Sequence, residues 1–414
     1  MSPDRALVRG RVAVSLTFLL FGTALGAWTS RIPAIKERLA LSDGSLSVAL
    51  LAFAAGCILG MSVLGRLTDR FPLLIPAALL EGALLVLPGL SPTLATLSAA
   101  LFAFGAVHGT LNIAMNAAAV ELQRRWGTPI MSSFHAVYSL GGFLGAIIGG
   151  AFAHAALPAS TTLLCVGGAV LLLAAWAARW TLPQLRRRPA SRPAPTSPPS
   201  PPSSSPASSS PASSSSPASS PDGRRRFILV LFGALVLCTL VGEGAAADWS
   251  AVYLRDDLHT SPGSAAYGYA AFAVLMTVGR LAGDRLTRSL GPVRVVRYSA
   301  LLAAAGLGTC LLLDRPAAGV LGFGLLGLGL SCIAPQVFSA AGDRDPGHPG
   351  RALSTVAGIG YVGFLLGPIL IGAAATVIGL TAALGIPVLL ALFVAATATT
   401  MRTPTHREPA PHPA

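Results

Sequence analysis

Residues 49–70 read ALLAFAAGCILGMSVLGRLTDR. No charge interrupts the run as far as Gly65, and then Arg66, Asp69 and Arg70 arrive together. An uncharged stretch of about 20 residues is what a helix needs to cross the hydrocarbon core of a bilayer. Runs of this kind recur at roughly 12–30, 45–64, 73–91, 97–119, 130–153, 158–180, 227–247, 264–282, 293–313, 317–340, 353–376 and 379–400. They predict an all-α membrane protein of twelve transmembrane helices.

The gaps between the runs alternate in charge. With the N-terminus in the cytoplasm, 24 of the 29 Lys and Arg residues fall in inside gaps, and only Arg31, Lys36, Arg38, Arg255 and Arg315 fall outside. Such asymmetry sets topology by the positive-inside rule, and an even number of spans returns the C-terminus to the cytoplasm. Arg5, Arg9 and Arg11 ahead of an apolar run also have the look of a secretory signal. Its removal would leave eleven spans and put every later loop on the wrong side of the charge rule, so the first helix is expected to stay.

The net charge of +13 does not point to nucleic acid. Only 11% of residues are charged and mean hydropathy is +0.68, so the basic loops are expected to lie against anionic lipid headgroups. Cys57, Cys165, Cys238, Cys310 and Cys332 fall singly in five different runs. No Cys/His spacing suits a metal, and neither a metal, a disulfide nor a cofactor is expected. The cysteines read as small buried apolar residues. No phosphate-binding G-x-x-x-x-G-K-[ST] loop occurs, which excludes ATP as the energy source in this chain. The runs hold no paired acids or activated nucleophile, so the chain does not read as an enzyme.

Residues 183–226 break the pattern. Pro189–Pro221 is almost wholly Pro, Ser and Ala and cannot bury a core. Four parts follow: a six-helix unit at 1–182, a disordered cytoplasmic linker at 183–226, a second six-helix unit at 227–402 and a cytoplasmic tail at 403–414. The two units echo one another. Trp28 ends span one and Trp249 ends span seven; span two ends in Gly65-Arg66-Leu67-Thr68-Asp69-Arg70, and span eight in Gly279-Arg280-Leu281-Ala282-Gly283-Asp284-Arg285. A repeat of whole six-helix units implies two bundles related by a pseudo-twofold axis.

At these residues the chain resembles the major facilitator superfamily, in particular the loop Gly65–Arg70, although Pro72 stands where the family continues with a glycine-arginine pair. The stretches Trp28–Ile35, Phe134–Gly142 and Glu243–Trp249 resemble the bacterial fucose-permease branch and its inner-membrane relatives. The resemblance implies a secondary transporter, a monomer in the bacterial cytoplasmic membrane, taking a small solute and protons by alternating access. It also implies that Gly65, Asp69 and Arg70, with Arg280 and Asp284 in the second half, form a cytoplasmic gate. There Asp69 accepts from helix amides and pairs with arginine.

Several polar residues at membrane depth are candidates for the solute or proton path. Glu243 stands between two glycines near the outer end of span seven, where a charged carboxylate is costly. It is a candidate proton carrier or binding acid, with a structural pair to Arg31 as the alternative. His108, Asn112 and Asn116 recur at i, i+4 and i+8 on one helical face. His135 can relay a proton or simply bond a carbonyl, and Tyr138 lies on its side of the helix. Gln336 sits beside Pro335. Trp28, Arg31, Asp248 and Trp249 mark the outer ends, the tryptophans as interface anchors or, alternatively, as a stacking surface for a sugar. Glu81, in the middle of span three, reads as structural. Uptake of a small polar solute by proton symport is the leading reading. An exporter of apolar or cationic compounds is the alternative within transport, and a non-transporting receptor on the same scaffold the alternative outside it.

Overall fold

The computed structural model describes residues 5–41, 43–185, 221–260 and 262–401. Within them the chain is a succession of long helices: α1 (Arg5–Arg38), α2 (Asp43–Ser62), α3 (Leu74–Leu90), α4 (Leu94–Trp126), α5 (Met131–His154), α6 (Ala159–Leu185), α7 (Pro221–Val252), α8 (Pro262–Leu290), α9 (Pro292–Leu313), α10 (Pro316–Arg344), α11 (Pro349–Ile378) and α12 (Leu380–Met401). Ten of the helical stretches are long and apolar enough to cross a membrane. Helix α3 is short and interrupted near Pro88. Helix α8 is long, but Tyr267, Tyr269 and Arg280 dilute its apolar content. The set is a multi-pass membrane protein with the expected six-plus-six order.

Helix α6 continues to Leu185 and α7 begins at Pro221. Helical structure therefore extends into both ends of the expected linker. Its remainder, 186–220, and the expected tail at 403–414 lie outside the described residues.

Glycine governs how the helices meet. Gly22 and Gly26 of α1 face the backbone of α5, and Gly141 and Gly145 of α5 face Leu19 and Thr23 of α1, so close that an added Cβ would strike a carbonyl oxygen. Gly56 and Gly60 of α2 approach α4 in the same way. The second half repeats the scheme, with Gly360 and Gly363 of α11 against Val236 and Leu237 of α7, and Gly327 of α10 against Phe272 of α8. Small residues admit such approach in lipid, where dispersion replaces the hydrophobic drive. The outward faces carry exposed Phe143, Ile147, Leu172, Val274, Leu312, Ile369 and Val377. Cys57, Cys238, Cys310 and Cys332 are buried free thiols, whereas Cys165 is exposed, so the expectation of five buried cysteines fails for that one.

Candidate functional site

Among the described residues, polar contacts join the bundles at two places. The first is the arginine-rich face. A helix leaves its first N–H groups without intrahelical partners, at the positive end of its dipole. Helix α11 opens Pro349-Gly350-Arg351, and Asp69 reaches it from the other bundle: Oδ1 accepts from the Gly350 amide and Oδ2 from the Arg351 amide, both at 2.8 Å. Helix α5 opens Met131-Ser132-Ser133, and Asp284 of α8 accepts from the Ser132 amide at 2.8 Å and the Ser133 amide at 3.0 Å. Gly65 is buried between Ile113 and Ser354, where a side chain would not fit. Arg70 is exposed, so amides and not this guanidinium hold Asp69. Around these contacts Arg124 pairs with Asp343 at 3.0 Å and donates to the Gly342 carbonyl, and Gln336 donates to Ser132 Oγ at 3.2 Å. Arg225 pairs with Asp345 beside the start of α11.

The second place is deeper. Glu243 of α7 faces Arg280 of α8, with Oε1 and Nη2 3.6 Å apart and the side chains 23% and 8% exposed. Arg280 Nη1 crosses to the other bundle and donates to Ser139 Oγ at 2.5 Å. Tyr138, Tyr269 and Tyr361, from three different helices, lie within electrostatic reach of Glu243. Arg280 therefore belongs to this central cluster and not to the gate, because α8 stays helical past it to Leu290. Nor is Arg31 the partner of Glu243. It is buried toward the far end of α1 and donates to the carbonyl of Gly149 at 3.4 Å and to that of Leu157, just past the end of α5, at 2.5 Å. Arg38 does the same for Gly89 and Ser91.

The polar stripe of α4 is divided. His108 leaves it for a pair with Glu81, Nδ1 to Oε1 2.6 Å, and both side chains are sealed from solvent. Asn116 bonds back to Asn112, to its carbonyl at 2.8 Å and its side chain at 3.3 Å. His135 lies buried where the bundles meet, its ring 5.6 Å from that of Phe18 and 6.0 Å from that of Phe338 in the other half. At the opposite face Trp28 is 2% exposed, which rules out an interface anchor. Asp248 is exposed, and the Trp249 ring lies against Gly372. Ser139, Tyr269 and Tyr361 escaped the reading of the sequence. Two tyrosines in the apolar run of span eight were the available signal.

The profile of the Major Facilitator Superfamily matches residues 12–242 and 231–414. An uncharacterized MFS-type transporter of Yersinia pestis is 34% identical over 395 residues, covering 94% of each chain. The crystal structure of FucP in the outward conformation superposes with a TM-score of 0.72 at 16% identity, covering 96% of this chain and 100% of that one. A structure of the Escherichia coli fucose:proton symporter FucP gives 0.67 at 17%, with 96% and 100% coverage.

Proposed function

We infer, from the premise that the chain belongs to the Major Facilitator Superfamily, that it carries a small polar solute through the bacterial cytoplasmic membrane by alternating access coupled to protons. Both chain ends face the cytoplasm in this reading. The observation that carries it is the Glu243–Arg280 pair, which is partly open, sits at the junction of the bundles and reaches Ser139 of the opposite half. An acid and a guanidinium in a low-dielectric site attract strongly while the acid is ionised. Protonation of Glu243 removes that attraction and leaves the Arg280 edge that faced it free to donate to solute oxygens. Solute and proton then occupy one cluster, in which the solute oxygens meet the Arg280 charge that protonation of Glu243 leaves unpaired.

The fold is shared with a fucose:proton symporter, which agrees with a hydroxyl-rich solute, and the surrounding tyrosines suit one. The latches on the arginine-rich face support an arrangement closed to the cytoplasm, and rocking breaks both. The test is a thermal-shift screen of the purified chain against sugars, organic acids and drugs, repeated across pH. A ligand that binds only the folded state raises Tm by mass action. The reading expects a polar solute whose shift depends on pH and is lost in R280Q. Stabilisation only by apolar or cationic drugs would favour the exporter.

A further inference from the structure

The Glu81–His108 pair lies outside the central cluster and has no part in the mechanism above. It is a strange thing to find in a membrane protein. Glu81 of α3 and His108 of α4 are 0% and 0% exposed as residues, in the middle of one bundle. Three aromatic rings surround the imidazole. Phe21 of α1 lies face to face with it at 3.8 Å and 12°, and Phe53 of α2 and Phe104 of α4 stand at 5.7 and 5.8 Å. Among the described residues no Lys or Arg forms an ion pair with Glu81. The titratable groups that face the pair are Cys57 of α2 and, farther off, Tyr361 of α11. Helix α6 meets α3 there through Gly167 and Leu171.

A count of protons decides what this pair is. At 2.6 Å, Nδ1 and Oε1 must share a hydrogen. If the imidazole were neutral and the carboxylate ionised, the bundle would hold an isolated negative charge among phenylalanines, which is very costly at that depth. One more proton makes the pair electrically neutral, either as carboxylate and imidazolium or as carboxylic acid and imidazole. The aromatic faces favour the imidazolium form. Glu81 Oε2 and His108 Nε2 have no hydrogen-bond partner among the described residues, so the pair is left to balance its own charge.

We propose that Glu81 and His108 form a single-proton binding site, loaded and neutral at rest, with Phe21 as the partition between it and the solute path. The Phe21 ring also meets Tyr138, 5.6 Å away between ring centroids and tilted by 44°, and Tyr138 lies within electrostatic reach of Glu243 and Arg280. Release of the proton leaves a bare charge unless water enters, so the site empties only when Phe21 turns aside. As a second seat for a coupled proton it rests on the coupling reading above. As a binding site it stands alone.

The test is nitrogen NMR of the full-length chain in detergent, with labelled histidine and the His108 signal identified by its loss in H108Q. Infrared spectroscopy of wild type against E81Q reports the Glu81 carboxyl. At neutral pH the proposal expects both ring nitrogens protonated, or Nε2 alone protonated beside a protonated carboxyl. It expects no response to bulk pH in the wild type and a pH-dependent His108 signal in F21A, with F21L as a milder variant if F21A unfolds. Nδ1 alone protonated beside an ionised Glu81 would overturn the site, and a His108 signal equally insensitive to pH in folded F21A or F21L would overturn the partition. No solute is needed. E243Q leaves the His108 spectrum unchanged, so failure of the central mechanism and failure of this site are read separately.

Discussion

Asp69 and Asp284 occupy the same place in the two halves of the molecule. Each carboxylate takes two consecutive amide N–H groups from the first turn of a helix in the other bundle, Asp69 from α11 and Asp284 from α5. The repeat read in the sequence thus returns as a pair of crossed latches on one face. Hydrogen bonds to a charged group contribute about 1.5–3 kcal/mol, so each latch biases the arrangement of the bundles without making it permanent.

Loosening one latch should therefore move a population. D69N keeps the shape but loses the charge, and the expected shift toward an open arginine-rich face is about ten- to a hundredfold, at 1.4 kcal/mol per factor of ten. Ser354 is buried behind Gly65 and is a suitable reporter. In a background without native thiols, S354C should react slowly with a water-soluble thiol reagent and faster once D69N is added. Equal rates would contradict the latch.

The central pair should be asymmetric under mutation. R280Q leaves Glu243 without its counter-charge. Removing one partner of a fully buried pair costs about 3–5 kcal/mol. Here the loss should be smaller, because Glu243 is 23% exposed and can take up a proton. E243Q leaves Arg280 its bond to Ser139 and should disturb stability less. Thermal unfolding in detergent compares the two, with R280Q expected to have the lower Tm.

Two nearby glycines of α5 should behave differently. A Cβ at Gly145 would meet the Thr23 carbonyl, whereas Gly150 has open space around its own. Overpacking costs about 1–3 kcal/mol, so G145A should lower Tm and G150A leave it nearly unchanged. The same melting experiment decides it.

Arg31 should not tolerate lysine. Its guanidinium serves two carbonyls, Gly149 and Leu157, from one buried position, and a single ammonium cannot match that fork. R31K should reduce both Tm and the yield of folded protein in the membrane. The exposed Arg66, changed to lysine, should do neither.

Much of this architecture is legible in the sequence. Uncharged stretches of spanning length announce their helices, and the GRLTDR and GRLAGDR ends announce the repeat. What escapes is set by tertiary contact. Arg66 and Arg280 hold the same place in the motif, yet Arg66 is exposed four residues past the end of α2 while Arg280 is buried within α8. Helix α8 runs on ten residues beyond Arg280 to Leu290, about 15 Å at 1.5 Å per residue. Hydropathy falls before such a helix ends, so the sequence reads Arg280 as a loop residue. In sequence His108 shares a stripe with Asn112 and Asn116, and only the packing of α3 shows that Glu81 claims it. Trp28 sits at the right height for an interface anchor but on the inward face of α1, which periodicity alone did not resolve.

The central claim is that Glu243 links solute to proton, and the most direct measurement compares two modes of transport in proteoliposomes, using whichever solute the thermal-shift screen returns. Exchange of solute across the membrane requires no net proton movement, whereas accumulation under an imposed pH gradient does. The account predicts that E243Q retains exchange and loses accumulation. Full gradient-driven accumulation by E243Q would contradict it.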